Sequence, residues 1–185
     1  MKDFLLFISN FIRNPKDTGA VVPSSRFLTK KMMEHIDFKA AENIVELGPG
    51  LGAFTKAILE KSKEDAEIFC FEINKKFCSH LRKKFDDSRL HIINKSAEKI
   101  SSHLKDIGIK KADYVVSGLP FLDFSDSKRR IIINEVKNLI DGKGKFILFQ
   151  YTTSIEKLLK ANFSKVERKF VPMNLPPAFI YILEN

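Results

Sequence analysis

The chain is poor in several residue types, and each shortage excludes something. Of 185 residues only two are cysteine, Cys70 and Cys78. They form no CxxC pair and have no histidine at zinc spacing, so the sequence predicts neither a disulfide framework nor a metal site, and fits a reducing, cytosolic setting. His35, His80, His91 and His103 stand at ordinary helix or strand positions and are assigned no role. No apolar run reaches the roughly 18 residues of a membrane-spanning helix. A secretory signal is not expected either: Asn10, Arg13 and Asn14 interrupt the first apolar segment, and no small-residue cleavage site follows. No Pro/Gly/Ser-rich linker and no repeat divides the chain, which therefore reads as one domain of ordinary size. Acidic residues are short against basic ones, 23 to 32, and the net charge of +9 predicts attraction to polyanions, either nucleic acid or an anionic membrane surface.

What the sequence does have is one organising stretch, Asn43-Ile44-Val45-Glu46-Leu47-Gly48-Pro49-Gly50-Leu51-Gly52-Ala53-Phe54-Thr55. It starts as a short apolar run, breaks into alternating glycines, and resumes at helical spacing through Phe54, Ala57 and Ile58. That is a buried strand, a tight loop and a helix. The helix start offers free N–H groups to something electron-rich. A phosphate-gripping P-loop would end Gly-Lys-Ser/Thr; this loop ends Gly52-Ala53-Phe54. A dinucleotide fingerprint reads G-x-G-x-x-G; here Gly48-x-Gly50-x-Gly52 is one residue tighter. The E-x-G-x-G-x-G pattern fits from Glu46 to Gly52. Twenty residues beyond Gly52 the next apolar run, Ile68 to Phe71, ends in Glu72, where folds of this kind hold a ribose diol.

Further strands are predicted at 67–72, 90–94, 112–117 and 145–151, with helices at 53–62, 74–85, about 126–140 and 154–161 between or after them. Residues 164–172 and 178–183 read as a closing antiparallel pair. Strands alternating with helices, then two strands together, predict a Rossmann-like α/β fold: a seven-stranded, mostly parallel sheet with an antiparallel last strand, sandwiched by helices. Ligands in such sheets sit at the carboxyl ends of the strands. That singles out Gly48, Pro49, Gly50, Gly52, Glu72, Ser96, Ala97, Ser117, Gly118, Leu119, Pro120, Phe121 and Tyr151; Ile73, next to Glu72, is added to the cofactor set.

Residues 1–13 place Phe4, Phe7, Ile8, Phe11 and Ile12 at helical spacing, with Lys2, Asp3, Ser9, Asn10 and Arg13 around the rest. This is an amphipathic helix preceding a domain of residues 14–185. It either packs on that domain or lies in a lipid interface with Phe4, Phe7, Ile8 and Phe11 inserted.

Glu46–Gly52, Glu72 and the strand order resemble class I S-adenosylmethionine-dependent methyltransferases. Four segments resemble the bacterial and archaeal phospholipid N-methyltransferase family: Asn14-Pro15 through Leu28, Glu46–Gly50, Val116-Ser117-Gly118-Leu119-Pro120, and Asn174-Leu175-Pro176-Pro177-Ala178-Phe179-Ile180-Tyr181. Many relatives carry Asp where this chain has Ser96, to read the adenine amino group. The resemblance implies methyl transfer from S-adenosylmethionine to the amine of phosphatidylethanolamine. It implies a protein peripheral on the inner face of the cell membrane, with a phospholipid substrate; a monomer without a metal is the expectation for the chain. It favours the interfacial role for residues 1–13. Tyr151, Phe121 and Tyr181 are candidates to hold a methylated ammonium by cation–π contact. Asp123 is a candidate proton acceptor, and Arg26, Lys128, Arg129 and Arg130 are candidate phosphate ligands, of which Arg26, Lys128 and Arg130 are preferred.

Two rivals remain at this stage. RNA adenine-N6 dimethyltransferases are similar around the glycine loop, but have Asn-Leu/Ile-Pro-Tyr/Phe after the fourth strand, where the Asn and the aromatic hold the adenine. This chain reads Ser117-Gly118-Leu119-Pro120-Phe121 and ends early for the usual RNA-binding domain. The other rival is a non-catalytic, cofactor-binding protein that docks on membranes.

Overall fold

The computed structural model describes residues 24–140, 142 and 144–185. The amphipathic segment 1–13, with Phe4, Phe7, Ile8 and Phe11, lies outside the described residues. Helix α1 (Ser24–Met33) leads into β1 (Asn43–Leu47). Then come α2 (Ala53–Lys61), β2 (Glu67–Phe71), α3 (Lys75–Lys84), β3 (Leu90–Ile93), a 3-10 turn (Ala97–Lys99), α4 (Ile100–Asp106) and β4 (Tyr114–Ser117). A second 3-10 turn (Phe121–Asp123), α5 (Asp126–Leu139), β5 (Lys145–Gln150), α6 (Glu156–Lys160), β6 (Lys165–Val171) and β7 (Ala178–Glu184) complete the chain.

The seven strands form one sheet in the order β3-β2-β1-β4-β5-β7-β6. β1 to β5 are parallel, and β7 runs antiparallel between β5 and β6. The expected seven-stranded, mostly parallel sheet with an antiparallel last strand is therefore present. The last strand in sequence is not the edge, however. It is apolar and buried, whereas β6 (Lys165-Val-Glu-Arg-Lys-Phe-Val171) carries four charged residues and takes the solvated position.

Two apolar layers cover the sheet. Val45, Leu47, Phe69, Phe71, Val115, Phe146, Leu148, Tyr181 and Leu183 pack on α4, α5 and α6. Ile44, Ile68, Cys70, Val116, Ile147, Ile180 and Ile182 pack on α1 and α2. Alternate residues of each strand thus face opposite layers, and both faces are buried. Polar staples fix the amino edge. Asp113 Oδ2 accepts the backbone N–H groups of Glu42 at 2.8 Å and Asn43 at 2.9 Å, and the Tyr114 hydroxyl accepts the Asp37 N–H at 3.1 Å. Arg89 donates to the carbonyls of Leu59, Ser62 and Lys63, satisfying the exposed end of α2.

The register sets up the functional edge. Leu47 pairs with Phe71 and Ser117, Phe71 with Ile93, and Ser117 with Leu148. The first four strands of the sheet therefore end level, and β5 reaches two residues further. No helix among the described residues is long and apolar enough to cross a membrane.

Candidate functional site

The site is built on the loops that leave β1, β2, β3 and β4 at this edge. After β1, Gly48 N–H continues the ladder to the Phe71 carbonyl at 2.9 Å, and Gly52 N–H closes the turn on the Pro49 carbonyl at 2.8 Å. Gly48, Gly50 and Gly52 have φ of 69°, 55° and 81°. At Gly48 the demand is double: the conformation is left-handed, and a Cβ would lie 2.7 Å from Leu119 Cδ2. Gly52 has no side-chain cap to offer, so the first amides of α2 are not capped by it.

Glu46 is wholly buried. Its Oε2 accepts the Thr55 hydroxyl at 2.7 Å and the Cys70 thiol at 3.3 Å. Its Oε1 has no hydrogen-bond partner among the described residues. Burial pushes its pKa up to about 7, against the hydrogen bonds from Thr55 and Cys70 that pull it down. The same burial pushes the Cys70 thiol well above its usual range, so it acts as a donor to Glu46 and not as a nucleophile.

Glu72 stands at the tip of β2. Its Oε1 accepts Asn74 N–H at 2.8 Å and its Oε2 the Gly50 N–H at 3.3 Å. The carboxylate is thus turned towards the glycine loop, with lone pairs left for a diol. Ile73 beside it is exposed. After β3, Ser96 caps the 3-10 turn by accepting Glu98 N–H at 3.3 Å, and donates its hydroxyl to Glu98 Oε2 at 2.8 Å. Its proton is therefore committed within the loop. Ala97 is buried behind it.

The loop after β4 meets the glycine loop directly. A Cβ at Gly118 would lie 3.0 Å from the Gly48 carbonyl oxygen. Ser117 is buried, and its Oγ accepts Leu119 N–H at 3.2 Å, bending the chain. Gln150, at the end of β5, donates from Nε2 to the Leu119 carbonyl at 3.1 Å. Tyr151 follows, its ring edge-on to Phe149 at 5.5 Å. Burial pushes its phenol up to about 12.

The structure brings Glu46, Gly48, Pro49, Gly50, Gly52, Glu72, Ile73, Ser96, Ala97, Ser117, Gly118, Leu119, Pro120 and Tyr151 to one edge. It does not bring Phe121 there. That ring is fully buried against Phe124 and Phe146, at centroid distances of 6.0 Å and 6.4 Å. Tyr181, on β7, is likewise buried in the core. Both lose the cation–π role, because the apolar volume beneath the sheet outcompetes the mouth for a large ring.

Arg129 is also removed from the phosphate candidates. Its guanidinium donates to the Phe121 carbonyl at 2.7 Å, the Leu122 carbonyl at 3.0 Å and Asp126 Oδ1 at 3.0 Å. Lys128 sits 3.5 Å from Glu98 Oε2 and over the Phe124 ring at 4.6 Å. Arg26, Asp123 and Arg130 are exposed. Sequence reasoning missed Gln150 and Thr55. The first had a signal, a carboxamide closing an otherwise apolar strand; the second had none.

This geometry fits S-adenosylmethionine. A loop with little side-chain bulk, an acid at the second strand tip and a buried carboxylate oxygen without a partner among the described residues suit a polar, cationic ligand with a ribose. No cluster of His, Cys, Asp and Glu among the described residues is arranged to hold a metal ion.

Comparisons with known proteins agree on the fold and the chemistry. The family model described as ribosomal RNA adenine dimethylase matches residues 11–168. The chain is 30% identical over 183 residues to the ornithine lipid N-methyltransferase of Singulisphaera acidiphila, covering 98% of this chain and 95% of that protein. It is 35% identical over 166 residues to the ribosomal RNA small subunit methyltransferase A of Mesomycoplasma hyopneumoniae, covering 84% of this chain and 60% of that enzyme. Among solved structures, the 1,6-didemethyltoxoflavin-N1-methyltransferase of Burkholderia thailandensis, bound to S-adenosylhomocysteine, superposes with a TM-score of 0.70 at 13% identity. That match covers 100% of this chain and 89% of that one.

Proposed function

We propose, on the premise that the chain belongs to the ribosomal RNA adenine dimethylase family of S-adenosylmethionine-dependent methyltransferases, that it methylates the primary amine of a membrane lipid. The lipid is of phosphatidylethanolamine or ornithine-lipid type. The observation that carries this reading is the loop after β4. RNA adenine dimethylases hold their base with an Asn and an aromatic ring there. Here the position of that Asn is taken by Gly118, closed off by the Gly48 carbonyl, and the aromatic, Phe121, is turned into the core. The loop has backbone but no base-gripping side chains, which suits a small aliphatic amine. The match to a lipid N-methyltransferase along nearly its whole length points the same way.

Glu46, the glycine loop, Glu72, Ile73, Ser96, Ala97 and Gly118 would hold the cofactor. When bound, S-adenosylmethionine supplies a methyl group on a positively charged sulfur, open to in-line attack by a neutral nitrogen. The protein's task is then alignment at a near-attack distance of about 3–3.5 Å. Ser117, Leu119 and Pro120 shape the wall on which the amine rests, and Gln150 holds that wall. Tyr151 keeps its phenol proton at neutral pH, so it serves as a hydrogen-bonding group and not as a phenolate base. A primary ammonium has a solution pKa of about 10 and must shed a proton first. Asp123, exposed just past the loop, is the acceptor we assign. Arg26, in the first turn of α1, and Lys128 and Arg130, near the start of α5, are the cations we assign to the anionic part of the headgroup. Residues 1–13 bind the membrane through Phe4, Phe7, Ile8 and Phe11 in this reading, and the face we assign is the cytoplasmic one.

The second reading is RNA methylation, favoured by the family model and by the net charge of +9. Labelled methyl transfer from S-adenosylmethionine separates the two. Vesicles containing phosphatidylethanolamine or ornithine lipid are offered in parallel with unmodified ribosomal RNA. Label in lipid is expected. Label in RNA alone overturns the proposal.

A further inference from the structure

Exposed apolar side chains are not spread evenly over this molecule. Eight large ones are exposed among the described residues, and six of these, Phe27, Leu51, Ile73, Phe170, Met173 and Leu175, gather at the carboxyl edge of the sheet. Leu51 and Ile73 belong to the β1–β2 half, where the cofactor residues lie. The other four lie at the β5-β7-β6 half and flank both faces of the sheet: Phe170 rests on Phe179 on the α4–α6 side, and Phe27 is on α1 on the other side. Met173 (65% exposed) and Leu175 (74%) sit on the turn joining β6 to β7, and Phe170 (56%) is the penultimate residue of β6. Phe27 (46%) is in the first turn of α1. That helix packs on α2 and, less closely, on β5 and β6, and its far end meets the amino edge through Asp37 and Tyr114. Its first turn therefore stands at the same end as the hairpin.

The hairpin is built to keep these residues outward. Asn174 is buried, donates from Nδ2 to the Pro176 carbonyl at 2.6 Å, and its N–H reaches the Val171 carbonyl at 3.3 Å. The polar residue of the turn faces in and its apolar neighbours face out, the reverse of the usual arrangement. Proline at positions 172, 176 and 177 limits the backbone further. Cations border the apolar tip on α1, where Arg26 and Lys30 are exposed; Lys169, on β6, is instead paired with Glu167 at 3.2 Å.

We propose that the β6–β7 hairpin, with Phe27 beside it, is a wedge that inserts into the interfacial layer of an anionic bilayer and docks the mouth of the site against the lipid headgroups. The proposal rests on the lipid-substrate reading and adds a second anchor to the one assigned to residues 1–13. Apolar side chains at a rigid tip with a basic border are complementary to acyl chains below and phosphates above, and stable peripheral binding generally takes two such signals. The wedge sits beyond β5, next to Tyr151 and Gln150, so a lipid amine rising from the surface would reach the β4 loop from the side opposite the cofactor's ribose.

The chain contains no tryptophan, so Leu175→Trp creates a single reporter in the full-length protein. With vesicles of phosphatidylethanolamine and phosphatidylglycerol, its emission should shift to the blue and be quenched by brominated acyl chains. Paired Met173→Ser and Leu175→Ser changes should weaken vesicle binding by about tenfold, with the circular dichroism spectrum and S-adenosylhomocysteine affinity unchanged. Unmoved emission, or no quenching, overturns the wedge. So does emission already blue without vesicles that reddens on deleting residues 1–13 or on dilution; the patch would then be covered by the chain's own N-terminal segment or by a second copy. Transfer to detergent-dispersed lipid keeps the two readings apart. Loss of transfer to vesicles with transfer in detergent retained supports the wedge. If the unaltered protein methylates no lipid in either form, the substrate reading falls, while the quenching result still decides the wedge.

Discussion

The side-chain amide of Gln150 donates to the main-chain carbonyl of Leu119 at 3.1 Å, tying the end of β5 to the loop that we propose faces the methyl group. The Leu119 carbonyl also accepts Phe121 N–H at 3.0 Å, so loss of Gln150 would not leave it without a partner. The bond's contribution is placement. Gln150→Leu, of similar volume, should lower kcat by roughly threefold to tenfold, the equivalent of a net hydrogen bond of about 0.5–1.5 kcal/mol. S-adenosylmethionine affinity should hardly move. Gln150→Glu replaces the donor by an acceptor and should be worse. Single-turnover rates with a separate titration of cofactor binding check this; an affinity loss equal to the rate loss would make Gln150 part of the cofactor pocket instead.

Glu46 makes stability depend on pH in an unusual direction. Its pKa stands at about 7 in the folded chain against an ordinary value of 4.5. Between those values the folded state holds a proton that the unfolded state has lost, so stability falls as pH rises from 4.5 and levels off above about 7. The span corresponds to about 3 kcal/mol for this fully buried group. Glu46→Gln, which keeps the Thr55 contact and cannot ionise, should remove that slope. Urea unfolding of the cofactor-free protein at about pH 5 and about pH 7.5 measures it. Parallel pH dependence in both proteins would contradict the assignment.

Arg129 and Arg130 are neighbours with different work. Arg129 spends its guanidinium on the Phe121 and Leu122 carbonyls and Asp126, inside the fold. Arg129→Lys cannot reproduce that fork and should cost about 1–3 kcal/mol, lowering Tm by roughly 5 °C. Arg130→Ala should leave Tm unchanged and raise the KM for lipid severalfold with little effect on kcat. Differential scanning calorimetry beside lipid-dependence kinetics distinguishes them, and equal kinetics in Arg130→Ala would remove Arg130 from the headgroup contacts.

The fold was legible because its signals are local. The apolar runs ending at Leu47, Phe71 and Ser117, and the glycines at 48, 50 and 52, mark strands and a tight turn without any tertiary information. The edge position was less legible: that β7 pairs with β5, leaving β6 outside, depends on which of two strands can bury both faces, and only the four charges of β6 hint at it. Side-chain destinations were the least legible part. Phe121 and Tyr151 look equivalent in sequence, as aromatics just past strand ends. The 3-10 turn Phe121–Asp123 points one into the core, and the extra length of β5 carries the other to the carboxyl edge, half-buried against the α1–α2 layer. Arg129 and Arg130 differ only by one helical position, about 100° around α5, which decides whether a guanidinium reaches the loop or solvent.

Gly118 is the residue at which the lipid and RNA readings part most sharply. Its side-chain space is tight against the backbone of the glycine loop: a Cβ would lie 3.0 Å from the Gly48 carbonyl oxygen, which would have to give by a few tenths of an ångström. Gly118→Asn would put the dimethylase-type side chain in place, but only by displacing that carbonyl, and Gly48 is held in turn by the Phe71 carbonyl and packed against Leu119. Overpacking of this kind costs about 1–3 kcal/mol. The strain falls on the cofactor loop, so S-adenosylmethionine affinity should drop by roughly tenfold, with lipid methylation falling alongside and no RNA methylation gained. Calorimetric titration of the cofactor and labelled transfer to both substrates test it together. A Gly118→Asn protein that binds the cofactor normally and begins to methylate ribosomal RNA would mean that the loop can open to admit a base, and that the missing carboxamide alone had kept RNA out.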